Sequence, residues 1–262
     1  MHNLKQLVVC VLLLPLLACS ESSKSEGKNS RPSDEVIWKV GRTISASEDS
    51  ILGKSTVRVL STWRDKDNKL MANLCTGVVV SKRIVLSAAN CFSDQLDIEP
   101  VQVVFPGNKT YVESNTLTGS VEIHPKYDDN DGSYNLAVIR LNEDIPSQAQ
   151  PIEIGEVEDL ASLKRVYTGG YGLFYVVKPA ELWEQQIHFS MEDGLFRFTS
   201  VDGRESCKGD DGGPIVSVDE GGKARLVGIT TLSLLDCTGW NLNHLPMYKV
   251  KDYLRLYLAE AE

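Results

Sequence analysis

Residues 207–214 read Cys207-Lys208-Gly209-Asp210-Asp211-Gly212-Gly213-Pro214 and run directly into a β-rich stretch at 214–218. Similar short β-rich stretches between turn residues lie on both sides of it, at 166–169, 195–198 and 226–231, and upstream at 55–61, 77–81, 84–87, 101–105, 119–123 and 136–141. Strands at this spacing predict sandwiches or barrels rather than alternating βαβ units. A polar segment with two prolines, 142–151, is placed to cross from a first β half to a second. The end of the chain differs: over 248–262, Val250, Tyr253, Leu254, Tyr257 and Leu258 recur on one helical face, which predicts a closing α-helix.

The chain has 262 residues, 42% of them hydrophobic and 24% charged, the balance of a folded globular protein rather than a disordered one. Thirty-six acidic against 27 basic residues leave a formal charge of −9, which argues against affinity for nucleic-acid phosphates.

The first 18 residues read as a targeting segment, with Lys5, an apolar run from Leu7 to Leu17, and Leu16-Leu17-Ala18-Cys19 before Ser20. Eleven apolar positions are too few to span a bilayer. The Leu-Leu-Ala-Cys end resembles the bacterial lipoprotein processing box, which implies acylation of Cys19 and anchoring in the cell envelope. Ser20 resembles the outer-membrane sorting pattern. An ordinary secretory signal is the alternative. Residues 19–36 are polar, without apolar clusters, and read as a flexible tether of about 20–25 Å reach. Loss of residues 1–18 removes Lys5 and no acid, leaving 26 basic against 36 acidic residues, or −10.

With Cys10 discarded and Cys19 acylated, Cys75, Cys91, Cys207 and Cys237 remain. Export to an oxidising compartment predicts two disulfides, and the residues alone permit three pairings. Neither C-x-x-C nor His-rich spacing accompanies them, so no metal or other cofactor is expected.

The 207–214 segment resembles the nucleophile loop C-x-G-D-S-G-G-P of trypsin-like serine peptidases, with seven of its eight positions conforming. Cys75-Thr76-Gly77 and Leu86-Ser87-Ala88-Ala89-Asn90-Cys91 are similar to that family's strand pair ending in T-A-A-H-C. His124-Pro125-Lys126-Tyr127, Tyr134-Asn135-Leu136-Ala137-Val138 and Gly170-Tyr171-Gly172 resemble its H-P-x-Y, N-D-I-A-L and G-W-G segments. The resemblance implies an all-β, chymotrypsin-like fold over 37–262. It would comprise two six-stranded antiparallel barrels, at about 37–145 and 146–262, a C-terminal helix, and the pairings Cys75–Cys91 and Cys207–Cys237.

In such enzymes a serine attacks the carbonyl, a histidine takes its proton, and a buried carboxylate orients the imidazole. The corresponding positions here hold Asp211, Asn90 and Asn135. Asn90 has no proton to take or give near neutral pH, and Asn135 has no charge to support an imidazolium. Asp211 lacks a hydroxyl. Its carboxylate would lie beside the backbone donors of Gly209 and Asp211, the oxyanion-hole position. Two unit charges about 4 Å apart repel by about 4 kcal/mol at an effective dielectric of 20, enough to suppress residual rate heavily. His124, His188 and His244 align with no cleft-centre position, and Ser87 and Ser206 are offset from the motif by at least one residue.

The acid aligned at Asp210 would pair, in the family, with the ammonium of a freed N-terminus. Neither Lys39-Val40-Gly41-Arg42 nor Ile51-Leu52-Gly53-Lys54 matches that start well, so Asp210 is expected to find another partner or remain solvated. Glu205 aligns with the floor of the specificity pocket, while Thr231-Leu232-Ser233 and Pro246 replace its glycine-containing wall and narrow it. Asp128-Asp129-Asn130-Asp131-Gly132 lacks the spacing of a calcium loop and is expected to be a polar turn. The resulting expectation is a non-catalytic, lipid-anchored peptidase homologue that binds or regulates a protein partner through its cleft or loops, with no nucleic-acid ligand. The alternative is a weak or unconventional hydrolase.

Overall fold

Apolar residues alternate with period two along the strands, and this alternation assigns each strand an inward and an outward face. The computed structural model describes residues 50–92, 100–105, 115–158, 162–172, 183–192, 195–200, 207–231 and 243–259. The expected signal segment, the tether with Cys19, and Glu205, Leu232, Ser233 and Cys237 lie outside these residues.

Strands β1 (Thr56–Arg64), β2 (Leu70–Val79), β3 (Ile84–Ser87), β4 (Val101–Val104), β5 (Thr116–Ile123) and β6 (Ala137–Leu141) form a closed barrel in the order β1-β2-β3-β6-β5-β4. Every pairing is antiparallel. The second half is a six-stranded antiparallel sheet of β7 (Val166–Gly170), β8 (Trp183–Glu192), β9 (Leu195–Ser200), β10 (Pro214–Val218), β11 (Ala224–Thr231) and β12 (Asn243–Pro246). Its order is β12-β11-β10-β7-β8-β9, and the outer strands β9 and β12 come into contact. Two six-stranded β halves and a C-terminal helix are therefore present, as expected.

The alternation also explains how the halves join. On β6, Ala137, Ile139 and Leu141 fill the barrel together with Val57, Val59, Val79, Val85, Val101 and Val103. Leu136, just before the strand, and Val138 within it face outward and pack with Val78, Ile84 and Leu86 against Val216, Leu226, Ile229 and Leu245 of the second sheet. Both faces of β3, and both faces of β6 up to the exposed Arg140, are consequently buried, which is why these strands read as nearly continuous apolar runs.

The closing helix, α2, covers Lys251–Leu258 and follows a 3₁₀ turn at Met247–Lys249, so it is shorter than the 248–262 expected. Val250, Leu254 and Tyr257 are buried in the shared core and Tyr253 and Leu258 pack against it, the face anticipated from their spacing. A one-turn helix, α1 (Ile51–Ser55), was not anticipated. Ser50 caps it by accepting the amide of Gly53 at 3.0 Å, and Leu52 is buried in the shared core. Its residues are those of the second candidate N-terminal start, which here serves as packed helix. Strands β8 and β12 were missed too: the first carries Glu-Gln-Gln directly after its opening tryptophan, and the second is four residues long and ends in proline. Neither presents an apolar run.

Candidate functional site

Asn90 sits in a 3₁₀ turn, Ala89–Cys91, immediately after β3. The disulfide Cys75–Cys91 ties that turn to β2, so the side chain beside it is aimed by both strands. Asn135 lies just before β6. Tyr134 precedes it with φ +50°, and Leu136 carries a backbone bond back to Tyr134 (2.7 Å), a tight bend that turns Asn135 inward until it is wholly buried. Asp211 belongs to the 207–213 loop before β10 and is buried as well.

These three residues, separated by up to 121 positions, meet. The backbone amide of Asn90 donates to Asn135 Oδ1 at 3.0 Å, and Asn90 Nδ2 donates to Asp211 Oδ2 at 3.0 Å. Chemistry settles both amide orientations: an ionised carboxylate only accepts, and a backbone N–H only donates. Asn90 Oδ1 and Asn135 Nδ2 are left buried without a hydrogen-bond partner among the described residues. Leaving such an atom unpaired costs about 1–3 kcal/mol, so the constellation is held by its surroundings. Asn90 and Asn135 are amides that neither accept nor release a proton near neutral pH, and none of the three residues offers a hydroxyl or thiol.

The loop bearing Asp211 is attached at several points. Asp210 is buried and its carboxylate accepts from the amides of Gly172 (2.6 Å) and Cys207 (2.7 Å). It therefore has partners and is not solvated, one of the two outcomes expected for it. Gly170 and Gly172 leave the space this carboxylate fills, since a Cβ at either would collide with it. Gly212 has φ +86°, and a Cβ there would overlap Thr76 O and Ser87 Oγ, so the loop lies directly on the first barrel. Gly209, the other expected oxyanion-hole residue, accepts at its carbonyl from Thr76 Oγ1 at 2.7 Å. Cys207 is disulfide-bonded.

Of the expected pocket positions, Thr231 is buried at the end of β11 opposite Asn243, and Pro246 pairs with Gly228. By strand alternation Thr231 shares the face of Ile229, whereas Pro246 shares that of His244. The sequence placed no histidine near the site. His244, however, stands opposite Thr230, whose carbonyl accepts from Gly212, on the ladder face away from core residues Ile229 and Leu245. The signal was the alternation of β12, a strand too short to be recognised. His188 pairs with Thr199 in the β8–β9 ladder. His124 is stacked on Tyr134 (centroids 4.9 Å) and edge-on to Tyr253 (4.3 Å), with Nδ1 accepting from the amide of Lys126 at 3.1 Å. Burial, and secondarily the Lys126 charge, hold its pKa below the usual imidazole value.

The Asp128–Gly132 segment folds as a polar turn in which Asp128 Oδ1 accepts from the amide of Asn130 and Asp131 Oδ1 from that of Ser133. No cluster able to hold a metal ion occurs among the described residues.

The family profile described as trypsin matches residues 53–251. The mouse atrial natriuretic peptide-converting enzyme is 26% identical over 180 residues, covering 61% of this chain and 16% of that protein. The fruit-fly inactive serine protease scarface is 32% identical over 108 residues, 38% of this chain and 16% of its own length. A glucanase inhibitor protein of Phytophthora infestans is 22% identical over 163 residues, 55% of this chain and 61% of that protein. A solved collagenase structure superposes with TM-score 0.61 at 16% identity over 77% of this chain and 93% of the other. This chain spans about a sixth of the length of the first two of these relatives.

Proposed function

This chain belongs to the trypsin family of serine peptidases, and from that premise we propose that it is a non-catalytic member whose site and loops bind or regulate a protein partner. The observation that carries this is the bond from Asn90 to Asp211. In an active member the hydroxyl donates to the imidazole and the imidazole to the acid. Here the bond runs from the middle residue to the loop, and its acceptor is a carboxylate that can neither attack as a serine does nor pass on a proton. The fold is that of the family, while the three positions aligned with its triad carry neither a hydroxyl nor an imidazole, a pattern that fits recognition without turnover. Two relatives carry names of the same kind, an inactive serine protease and a glucanase inhibitor.

The same reading places the protein at the bacterial cell envelope, held by acyl chains on Cys19 with residues 20–36 as a spacer. A partner that is itself at that membrane, or secreted past it, suits an acidic domain on a short tether.

The test is labelling of the purified chain with a serine-directed fluorophosphonate probe, with turnover of peptide amides and esters measured in parallel, beside an Asn90→His, Asn135→Asp, Asp211→Ser triple variant. The unmodified chain is expected to be unlabelled and inactive. Saturable turnover by the unmodified chain, contaminants excluded, overturns the proposal.

A further inference from the structure

Thr76 is fully buried in β2, yet most of its polar contacts leave its own barrel. Its Oγ1 donates to Gly209 O at 2.7 Å, 133 residues away, and accepts from the amide of Tyr171 at 3.0 Å, 95 residues away. Its backbone amide donates to Asp211 O at 2.9 Å. Its carbonyl accepts from Ser87 Oγ at 2.7 Å, which fixes the β2–β3 edge on which Gly212 rests. A threonine hydroxyl has one proton to give, and here it goes to the loop carbonyl while a lone pair meets the turn at Tyr171.

These contacts interlock with those of Asp210. Tyr171 N is taken by Thr76 and the next amide, Gly172 N, by Asp210 Oδ1. Asp210 Oδ2 takes Cys207 N at the start of the same loop. Tyr171 is itself anchored to β1, its hydroxyl donating to Thr56 O at 3.3 Å beneath the Arg58 guanidinium, 5.4 Å from the ring centroid. The 207–213 loop, the 171–172 turn and β2 are therefore joined to one another by direct bonds among the described residues. Bonds to a charged acceptor are stronger than those between neutral groups, and the Asp210 carboxylate receives two of them.

We propose that Thr76 is a positioning residue: its hydroxyl and amide, acting with Asp210, hold the 207–213 loop in its site-forming shape from within the domain, so the loop needs no newly freed N-terminus to become ordered. This rests on the reading of that loop as the working end of a trypsin-family site, and it assigns the site a constitutive form in place of a cleavage-dependent one. A Thr76→Val change keeps the shape of the side chain and the backbone bond to Asp211. It strands the Gly209 carbonyl and the Tyr171 amide in a buried place. A Thr76→Ser change keeps the hydroxyl.

Amide hydrogen exchange of the intact, uncleaved chain is the test, read over residues 207–213 with strands β3 and β6 as internal reference. In the unmodified chain the loop is expected to be protected. Thr76→Val is expected to raise its exchange rate about tenfold or more while β3 and β6 stay unchanged, and Thr76→Ser to remain within about threefold of the parent. Equal exchange in the parent and Thr76→Val, or a loop unprotected until the N-terminal region is cleaved, overturns the proposal. If Thr76→Val does not fold, Thr76→Ser and the uncleaved parent still decide it, because a serine variant with an unprotected loop or an unprotected parent each contradicts it. The readout involves no chemistry, so catalytic turnover by the parent would defeat the proposed function and leave this inference standing.

Discussion

Asn90 reaches across from the β3 turn to donate to Asp211 at 3.0 Å, so the one carboxylate among the three site residues lies on the 207–213 loop, and Asn135, before β6, is an amide. On the proposed reading this is an inversion of an active triad, whose carboxylate stands at the position aligned with Asn135.

That inversion predicts the effect of Asn90→Asp. Two carboxylates about 4 Å apart repel by about 4 kcal/mol at an effective dielectric of 20, reduced by the partial exposure of residue 90. Their folded pKa values then rise above the unfolded ones, so the penalty is present at neutral pH and disappears as acid protonates the pair. Thermal melting is expected to show a marked loss of stability relative to the parent at about pH 7 that largely closes near pH 4. A loss of equal size at both pH values would mean that the damage is steric.

The bridge between Cys75 and Cys91 closes a loop of sequence separation 16 and fixes the turn that carries Asn90. Replacing both cysteines by serine is expected to lower stability by about 3 kcal/mol in denaturant titrations. Exchange at Cys91 and Phe92, whose amides bond to Ala88 and Ala89, should rise more than exchange in β5.

His124 predicts a pH effect of its own. Its folded pKa is depressed below 6.5 because the ring is buried against Tyr134 and Tyr253, with Lys126 adding a smaller push in the same direction. A depressed folded pKa means that the unfolded chain binds the proton first. The stabilisation is therefore full above pH 6.5 and is lost as pH falls through the folded value. Melting temperatures of the parent are expected to drop more steeply through that window than those of His124→Phe, which keeps the ring packing and cannot be protonated. Parallel curves would refute it.

If Cys19 carries the membrane anchor, Cys19→Ser expressed in a Gram-negative host should move the protein from the membrane to the soluble envelope fraction and abolish its incorporation of an alkyne-labelled fatty acid. Retention in the membrane with no fatty-acid incorporation by the parent would point to another mode of attachment.

Much of this architecture could be read along the chain. Strands β3, β6, β10 and β11 coincide closely with apolar runs at 84–87, 136–141, 214–218 and 226–231. The buried face of α2 follows the spacing of Val250, Leu254 and Tyr257. The site positions 90, 135 and 211 were legible as well, because the segments around them resemble T-A-A-H-C, N-D-I-A-L and G-D-S-G-G-P although the functional residue in each has changed. Strand β12 was not legible, and His244 with it, because four residues ending in proline carry too little periodicity to register.

The amino-acid order by itself determined which segments become strands, which residues face inward, and which chemistry the three site residues lack, since alternation and functional groups are properties of neighbouring residues and of side chains. Only the tertiary structure decided what those residues do instead. That Asn90 turns its amide toward Asp211, that Asp210 finds the amides of Gly172 and Cys207, and that Thr76 joins β2 to a loop 133 positions away all depend on distances between remote segments. Hydrogen-bond partners in a buried interface are chosen by what packing brings within about 3 Å, and no local pattern encodes that distance.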